Sequence, residues 1–306
     1  DRLLSLIATD EKMSNLAAYI FDGTVLGLIY ALVACGYSLI FSILRIVNFA
    51  HGSIYAFGAM ATLFFIRQGM NPWLSALLSV LATGLLEMLM DKICIEPLRK
   101  RNSPGVSTLI ATEGFSYVVM NLLIIVFGSG REYFETFYDL GFSVNIGGLS
   151  VTSVKLVLLV ISGGLMLLMS YLVNKTHIGL AIRAVQQNTQ SARLMGVNVN
   201  RVILGTFFLA GATAAVAGAL VAGYYQVAYP TMGTVMGNKT LATALLGGLG
   251  AMHGGLLGGI IIGILECIVA GTFGATYRDA VSFVILIAIL IFMPSGLFGK
   301  KEIKKV

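Results

Sequence analysis

Charged residues are scarce in this sequence, where Asp, Glu, Lys and Arg together make up 11% of 306 residues. Soluble domains carry about 25% charged residues, so this composition excludes an ordinary soluble protein. Cysteines are also few, and Cys35, Cys94 and Cys267 follow no paired spacing, which indicates neither a disulfide framework nor a metal site. The sequence contains no G-x-x-x-x-G-K-[ST] nucleotide-binding loop and no H-E-x-x-H metalloprotease motif.

Long apolar runs make up most of the chain. A helix that spans a bilayer needs about 20 apolar residues, and runs near that length lie at 17–43, 53–68, 73–90, 105–127, 154–174, 203–225, 240–252, 255–272 and 280–298. They predict an all-α polytopic membrane protein with eight or nine transmembrane segments in one domain, residues 13–299. An N-terminal extension (1–12), which could lie flat in the membrane interface or equally be disordered, precedes this domain, and a basic tail (300–306) follows it. The run at 240–252 is short for a full span, which favours a half-helix or a re-entrant segment.

The net charge of +6 is concentrated in three connections. Residues 91–104, 174–201 and 299–306 each hold four Lys or Arg, whereas 128–153 holds one Arg against three acidic residues. The positive-inside rule places the basic connections and the C-terminus in the cytoplasm and 128–153 outside. Short basic clusters between apolar runs do not indicate a nucleic-acid partner, and the side of the N-terminus is left open.

Polar residues interrupt an apolar stretch in "RIVNFAHGS" (45–53). Polar groups at membrane depth are costly and usually face a bundle interior or a watery cavity. Asn48 and His51, followed by Gly52, also indicate a helix break, which frees backbone groups for these side chains to satisfy. Two interpretations stay open: the residues line or gate a translocation path, or they only connect neighbouring helices, with Arg45 anchoring the chain at the interface.

Further ionisable residues lie within the apolar runs, and each is a candidate functional residue by default. Glu113 and Glu266 are candidates for the translocation path, and Glu266 is expected to face the bundle interior. His253 lies at a break in the glycine-rich segment. Glu87 is close to the charged residues at 91–92, which favours a position near the membrane interface.

Glycines repeat every four residues within 245–266. The repeat contains two series, which are Gly250, Gly254, Gly258 and Gly255, Gly259, Gly263. On one helix each series would form a smooth stripe on which a neighbouring backbone can approach closely. Tight helix packing is therefore favoured over direct contact with a ligand.

The connection 174–201 is long, polar and free of acidic residues. Between Gly179 and Gly196 its apolar residues are interspersed with Arg and Gln, as in a short amphipathic helix. Such a helix suits a groove on a cytosolic partner, and it equally suits a layer of anionic lipid headgroups.

Four blocks of the sequence resemble the permease subunits of branched-chain amino acid ABC importers, whose relatives also carry urea and short amides. The blocks are "GLIYALVACGYSLIFSILRIVNFAHGSIYAFGAM" (27–60), "GLAIRAVQQNTQSARLMGVNVNRV" (179–202), "ATALLGGLGAMHGGLLGGIIIGILE" (242–266) and "YRDAVSFVILIAILIFMPSGLFG" (277–299). They occur in family order and extend the resemblance over residues 17–306.

The resemblance implies a transport subunit of the bacterial inner membrane with no cofactor of its own, because ATP is bound by partner subunits. Its implied partners are a second related permease, two cytosolic ATP-binding subunits and a periplasmic or surface-tethered substrate-binding protein. The loop helix within 179–196 would couple to the ATPase. In "QSARLMG" (190–196), Ala192 and Gly196 match the family pattern E-A-A-x-x-x-G, while the first two letters differ. The residues expected to mediate coupling are Arg183, Gln187, Ala192, Arg193 and Gly196.

Three other functions are alternatives to the import of hydrophobic amino acids, and two of them are also forms of transport. A urea or short-amide permease would share the same family resemblance. A self-powered channel or secondary transporter would need paired intramembrane charges, which the scattered carboxylates do not indicate. An intramembrane enzyme would need a motif that joins the histidines and glutamates, and the sequence has none that is recognisable.

Overall fold

The computed structural model describes residues 2–146, 149–293 and 296–298, with side chains from Asn15 onward except those of residues 146, 149 and 252. The helices are α1 Arg2–Leu44, α2 His51–Arg67, α3 Pro72–Met90, α4 Glu96–Lys100, α5 Gly105–Phe127, α6 Ser153–Lys175, α7 His177–Gln187, α8 Thr189–Leu194, α9 Val199–Tyr225, α10 Met232–Gly247, α11 Met252–Phe273 and α12 Arg278–Phe292. A π-helical turn at Asp91–Ile95 joins α3 to α4, and a 3-10 turn at Ala275–Tyr277 precedes α12. The short strands are β1 Glu132–Tyr133, β2 Ser143–Ile146, β3 Leu149–Thr152 and β4 Val227–Ala228.

The prediction of an all-α polytopic membrane protein is confirmed. Within the described residues, seven helical segments are long and apolar enough to cross a membrane. Helices α2 and α10 are shorter, with 17 and 16 residues. The backbone of α1 runs without interruption from Arg2, so no helix break marks the predicted boundary after residue 12, and the predicted tail at 300–306 lies outside the described residues.

Local sequence explains where several helices begin and end. Helix α3 begins at a proline whose preceding residue, Asn71, accepts a hydrogen bond from the Trp73 amide at 3.0 Å. Pro97 has no amide hydrogen to donate into the preceding turn, and the π-helical turn just upstream accommodates that loss. Helix α1 ends at Leu44 because Arg45 takes a left-handed conformation with φ +56°.

Helix α1 is the centre of the bundle and packs against α6, α9, α10 and α11. The glycine series explain its closest contact: Gly259 and Gly263 of α11 lie directly against the α1 backbone at Gly27 and Gly23. The other series faces α10, where Gly254 meets Gly247 and Gly258 meets Thr243. Helix α11 thus packs closely against two neighbouring helices, because a side chain at any of these four glycines would collide with backbone.

The helix bundle has two ends, and a different set of connecting segments lies at each end. At the β-ribbon end, defined by the antiparallel pair β1–β4, Glu132 lies opposite Ala228. Lys155 at the start of α6 forms a 2.6 Å ion pair there with Asp22 of α1, so the early part of α1 belongs to this end. The loop around Asp139 closes on α6, because the Ser153 hydroxyl donates to Asp139 at 2.5 Å. Together with the Gly141 amide, that hydrogen bond lowers the pKa of the Asp139 carboxyl.

The opposite end, called the α7 end, contains the amphipathic connection. Ile40 and Ile43 of α1 pack there with Ile182 and Val185 of α7. After α12 the chain returns to α10, where the amide of Leu297 donates to the carbonyl of Leu246 at 2.8 Å. The described chain therefore stops at the α7 end.

Three sequence expectations need correction. Helix α10 begins at Met232 rather than at 240, two residues after Pro230, so it also contains the polar residues Thr234, Asn238 and Lys239. Gly250 is not on the glycine stripe, because it lies in the turn before α11 with φ +86°. The connection 179–196 forms two helices instead of one, since the Asn188 side chain accepts from the Ser191 amide at 2.9 Å and caps α8.

Candidate functional site

The polar residues of "RIVNFAHG" meet a carboxylate of α3. The chain leaves the helical conformation between Leu44 and His51, as the sequence predicted. His51 Nδ1 lies 2.8 Å from Glu87 Oε1, and Asn48 Nδ2 donates to the same oxygen at 3.3 Å. The Asn48 side-chain oxygen accepts from the Ala50 amide at 3.0 Å. All three side chains are buried, with at most 2% of each residue exposed.

The contacts of His51 determine where its protons lie. Its Nε2 is 3.2 Å from the carbonyl oxygen of Val33, which only accepts, so Nε2 carries a proton. A second proton lies between Nδ1 and Glu87, because two lone pairs at 2.8 Å would repel. The His51–Glu87 pair therefore carries no net charge, which lowers the cost of burying it.

Four of the five predicted path residues line one small cavity, here called the Asn48 cavity. Its volume is about 110 Å³, and Asn48, His51, Gly52 and Glu113 form part of its wall. Polar residues of α5 and α10 complete it, including Ser116, Thr234, Asn238 and Thr240. The cavity lies at the surface of the chain between α5 and α10, because Phe49, Tyr117 and Thr234 beside it are exposed.

The fifth predicted residue, Glu266, belongs to a different cluster. Its Oε2 accepts from Lys239 Nζ at 2.9 Å and from the Tyr30 hydroxyl at 2.8 Å, and its other oxygen accepts from Ser282. Lys239 Nζ also forms a 2.8 Å ion pair with Asp279 Oδ1. Glu266 is fully buried and the Lys239 side chain is 7% exposed, so the expectation that Glu266 faces the interior holds.

A larger cavity, called the Lys239 cavity, lies beside this cluster at the β-ribbon end. It has a volume of about 440 Å³, in the range of sites for small ligands. Its polar wall contains Lys239, Arg278, Asp279, Arg131 and the four tyrosines 30, 55, 225 and 229. Its apolar wall is made by Leu26, Val221, Val227, Met232, Val235 and Met236.

Helix α10 separates the two cavities. Its residues Met232, Val235, Met236 and Lys239 face the Lys239 cavity, as expected for positions three or four apart on one helical face. Its other face contributes Gly233, Thr234, Gly237, Asn238, Thr240 and Leu241 to the Asn48 cavity. Gly52 of α2, which lines the Asn48 cavity, packs directly on the backbone of α10 at Gly233 and Gly237.

Sequence reasoning missed Lys239, and it named Glu87 only as a candidate by default. The structure buries Glu87 completely and pairs it with both polar residues of the helix break. Lys239 was not selected because it lies just before the apolar run predicted at 240–252. His253, by contrast, is exposed and lines neither cavity.

The predicted coupling residues lie on α7, α8 and the turn that follows. Arg183 donates to the carbonyl of Val173 at 2.6 Å, and Ala192 is buried, so both contact the chain itself. Gln187, Arg193 and Gly196 are exposed. Leu194 and Met195, which sequence reasoning did not select, are 89% and 84% exposed and form an apolar tip at the α7 end.

Comparisons with known proteins are consistent with this arrangement. The family described as "Branched-chain amino acid transport system / permease component" matches residues 19–290. The chain is 31% identical to the high-affinity branched-chain amino acid transport system permease protein LivH of Salmonella typhimurium, over 97% of this chain and 99% of the relative. It is 29% identical to BraD of Pseudomonas aeruginosa, a permease protein of the same description, over 93% and 96% of the two chains.

One solved structure shares the fold. It is PsaBC from Streptococcus pneumoniae in complex with Fab, with a TM-score of 0.50 and 13% sequence identity over 97% of this chain and 98% of the other. At this identity the likeness concerns the fold alone. The helical arrangement described above thus recurs in a protein of distant sequence.

Proposed function

The chain belongs to the family of branched-chain amino acid transport system permease components, and on that premise we propose that it forms part of the path by which an ATP-driven importer carries leucine, isoleucine and valine across the membrane. The pair of cavities on opposite faces of α10 supports this proposal. A transport path that opens to one side of the membrane at a time needs a cavity on each side of a barrier. Helix α10 suits such a barrier, because it is short and contacts α2 through glycines, so that a small shift of the helix can connect the two cavities.

The lining of the Lys239 cavity favours an amino acid over urea. Urea has no apolar part, whereas this cavity combines charged groups with a wall of leucine, valine and methionine side chains. Such a wall suits a branched aliphatic side chain, because burial of apolar surface stabilises the bound state. The same lining argues against the urea and short-amide alternative.

ATP hydrolysis is assigned to separate subunits in this proposal. The apolar tip formed by Leu194 and Met195 would enter a groove on a cytosolic ATPase, with the exposed Gln187 and Arg193 at its rim. Arg183 and Ala192 would hold the segment against the bundle, so that a movement of the tip reaches α6 and α9. Two such ATPases are expected, one for each permease.

A second, related permease would cover the Asn48 cavity. Glu113, Ser116 and Asn238 are partly exposed there at membrane depth, where contact with lipid is costly for polar groups. A protein neighbour removes that cost and turns the cavity into an enclosed compartment. In this arrangement the β-ribbon end faces outward and receives ligand from a substrate-binding protein, and the α7 end with the C-terminus lies in the cytoplasm, in agreement with the positive-inside rule.

Charge on the apolar tip is expected to uncouple the transporter. The double variant Leu194→Asp/Met195→Asp should lose most ATP-driven leucine uptake and the stimulation of ATPase activity by the permease, because a groove that accepts apolar side chains rejects two carboxylates. Both activities are measured with the complex in proteoliposomes. Folding should persist, since neither side chain is buried in the chain itself.

Two matched variants make this test specific. Asn200→Asp adds a negative charge at the same end of the bundle but outside α7 and α8, and it should leave both activities unchanged. Leu194→Ile/Met195→Leu keeps the tip apolar and should retain uptake. Normal coupling in the double aspartate variant would refute the role of this segment.

A further inference from the structure

The charged side chains around the Lys239 cavity differ in how many of their hydrogen-bond donors already have partners. Lys239 has three donor hydrogens, and Glu266, Asp279 and the Tyr30 hydroxyl lie within 3.4 Å of its nitrogen. Its donors are therefore already used. Lys239 positions other groups rather than presenting a free charge to the cavity.

Arg278, in contrast, keeps most of its donors. Its Nη1 donates to the Tyr225 hydroxyl at 2.6 Å, but a guanidinium has five N–H groups. Its Nε is buried and has no hydrogen-bond partner among the described residues. No carboxylate of the described chain lies within ion-pair distance of it. A cation of this geometry suits the two oxygens of a carboxylate.

Asp279, the next residue, offers the complementary charge. Its Oδ1 is held by Lys239 at 2.8 Å, while the side chain, which lines the cavity, is 53% exposed. Lys239 is in turn fixed by the fully buried Glu266. At the start of α12, the Asp279 carboxylate, which can bind a cation, thus lies beside the Arg278 guanidinium, which can bind an anion.

We propose that the Lys239 cavity contains a subsite for the zwitterionic head group of an α-amino acid, in which Arg278 binds the carboxylate and Asp279 binds the ammonium. Leu26, Val221 and Val235 across the cavity then contact the apolar side chain. A zwitterion matches the site because a guanidinium, that of Arg278, and a carboxylate, that of Asp279, are neighbours in the cavity wall. The subsite rests on the proposed function. It adds that this chain itself binds both the carboxylate and the ammonium group of the substrate.

The test uses three probes that differ only at the head group. Binding of leucine, leucinamide and N-acetyl-leucine is measured by competition with radiolabelled leucine on the complete transporter in nanodiscs, without the substrate-binding protein. Leucinamide lacks the carboxylate and N-acetyl-leucine lacks the ammonium. The unmodified protein should bind each of them at least about tenfold more weakly than leucine, because each loses a charge-assisted hydrogen bond.

Single variants should then remove one preference each. Arg278→Gln should weaken leucine binding and abolish the preference over leucinamide while keeping the preference over N-acetyl-leucine. Asp279→Asn should weaken leucine binding and abolish the preference over N-acetyl-leucine while keeping the preference over leucinamide. The matched variants Arg67→Gln and Asp22→Asn break ion pairs at the same end but outside the cavity, and both preferences should survive in them.

The outcomes separate this subsite from the proposed function. Equal binding of the three probes by the unmodified protein would overturn the subsite and needs no variant to fold. A variant that weakens all three probes to the same extent would also overturn it. ATP-driven leucine uptake is recorded in the same preparations. If the subsite is refuted while uptake is intact, the proposed importer function still holds. If uptake is absent, the importer function itself is refuted.

Discussion

Replacing Gly263 with leucine is expected to destabilise the protein strongly. A Cβ atom at Gly263 would lie 2.6 Å from the Cα of Gly27, closer than real Cβ contacts, and would also collide with the carbonyl of Gly23. Flexible side chains can move away from such a clash, but here both surfaces are backbone. Overpacking of a well-packed core costs about 1–3 kcal/mol and sometimes more, and this site has no room to relax. We expect the upper part of that range or beyond.

Gly164 supplies the matched control for this prediction. It lies in the middle of α6, is exposed, and a Cβ atom there would have no neighbour within 4 Å. Gly164→Leu should express normally, because leucine is a better helix former than glycine by about 1 kcal/mol. The comparison is made by expression in membranes and by thermal unfolding in detergent. A folded Gly263→Leu protein of normal stability would mean that α1 and α11 do not meet as described.

Loss of the Glu87 side chain is expected to have the second large effect. In Glu87→Ala both His51 and Asn48 keep their buried polar atoms but lose their common partner. Removing one member of a buried pair costs about 3–5 kcal/mol. The variant should therefore be strongly destabilised, and leucine uptake should fall at least about tenfold, since the break between α1 and α2 is no longer fixed.

A double-mutant cycle separates this pair from a general effect of mutation. His51→Ala should cost nearly as much as Glu87→Ala, and the double variant should cost less than the sum by about 1–3 kcal/mol, as for residues in direct contact. The exposed Glu135 is the control, and Glu135→Ala should change the free energy of unfolding by less than about 0.5 kcal/mol. Strict additivity of His51→Ala and Glu87→Ala would contradict the contact.

The sequence predicts the helices well because a bilayer leaves few alternatives. Apolar runs of sufficient length must be helical, since no water satisfies their backbone groups. The break at 45–50 is also predictable, because Asn48, His51 and Gly52 are costly in an uninterrupted apolar helix. The glycine stripe of α11 follows from its four-residue spacing, although the spacing does not show that Gly250 lies just outside the helix.

The partners of the buried charges could not be predicted in the same way. Glu87 lies 36 residues after His51, and its position beside two charged residues does not indicate that it contacts α2. Lys239 and Glu266 are 27 residues apart on different helices. No local pattern joins them, because their contact depends on how α10, α11 and α12 pack. Pairs of this kind follow from tertiary structure alone.

The most direct test of the central claim is uptake by proteoliposomes that contain either this chain alone or the chain with its ATPase, second permease and binding protein. Leucine, isoleucine, valine and urea are offered separately, with and without ATP. We expect uptake of the three amino acids only by the complete complex and only with ATP. Uptake by the chain alone without ATP, or uptake of urea in place of the amino acids, would contradict the account.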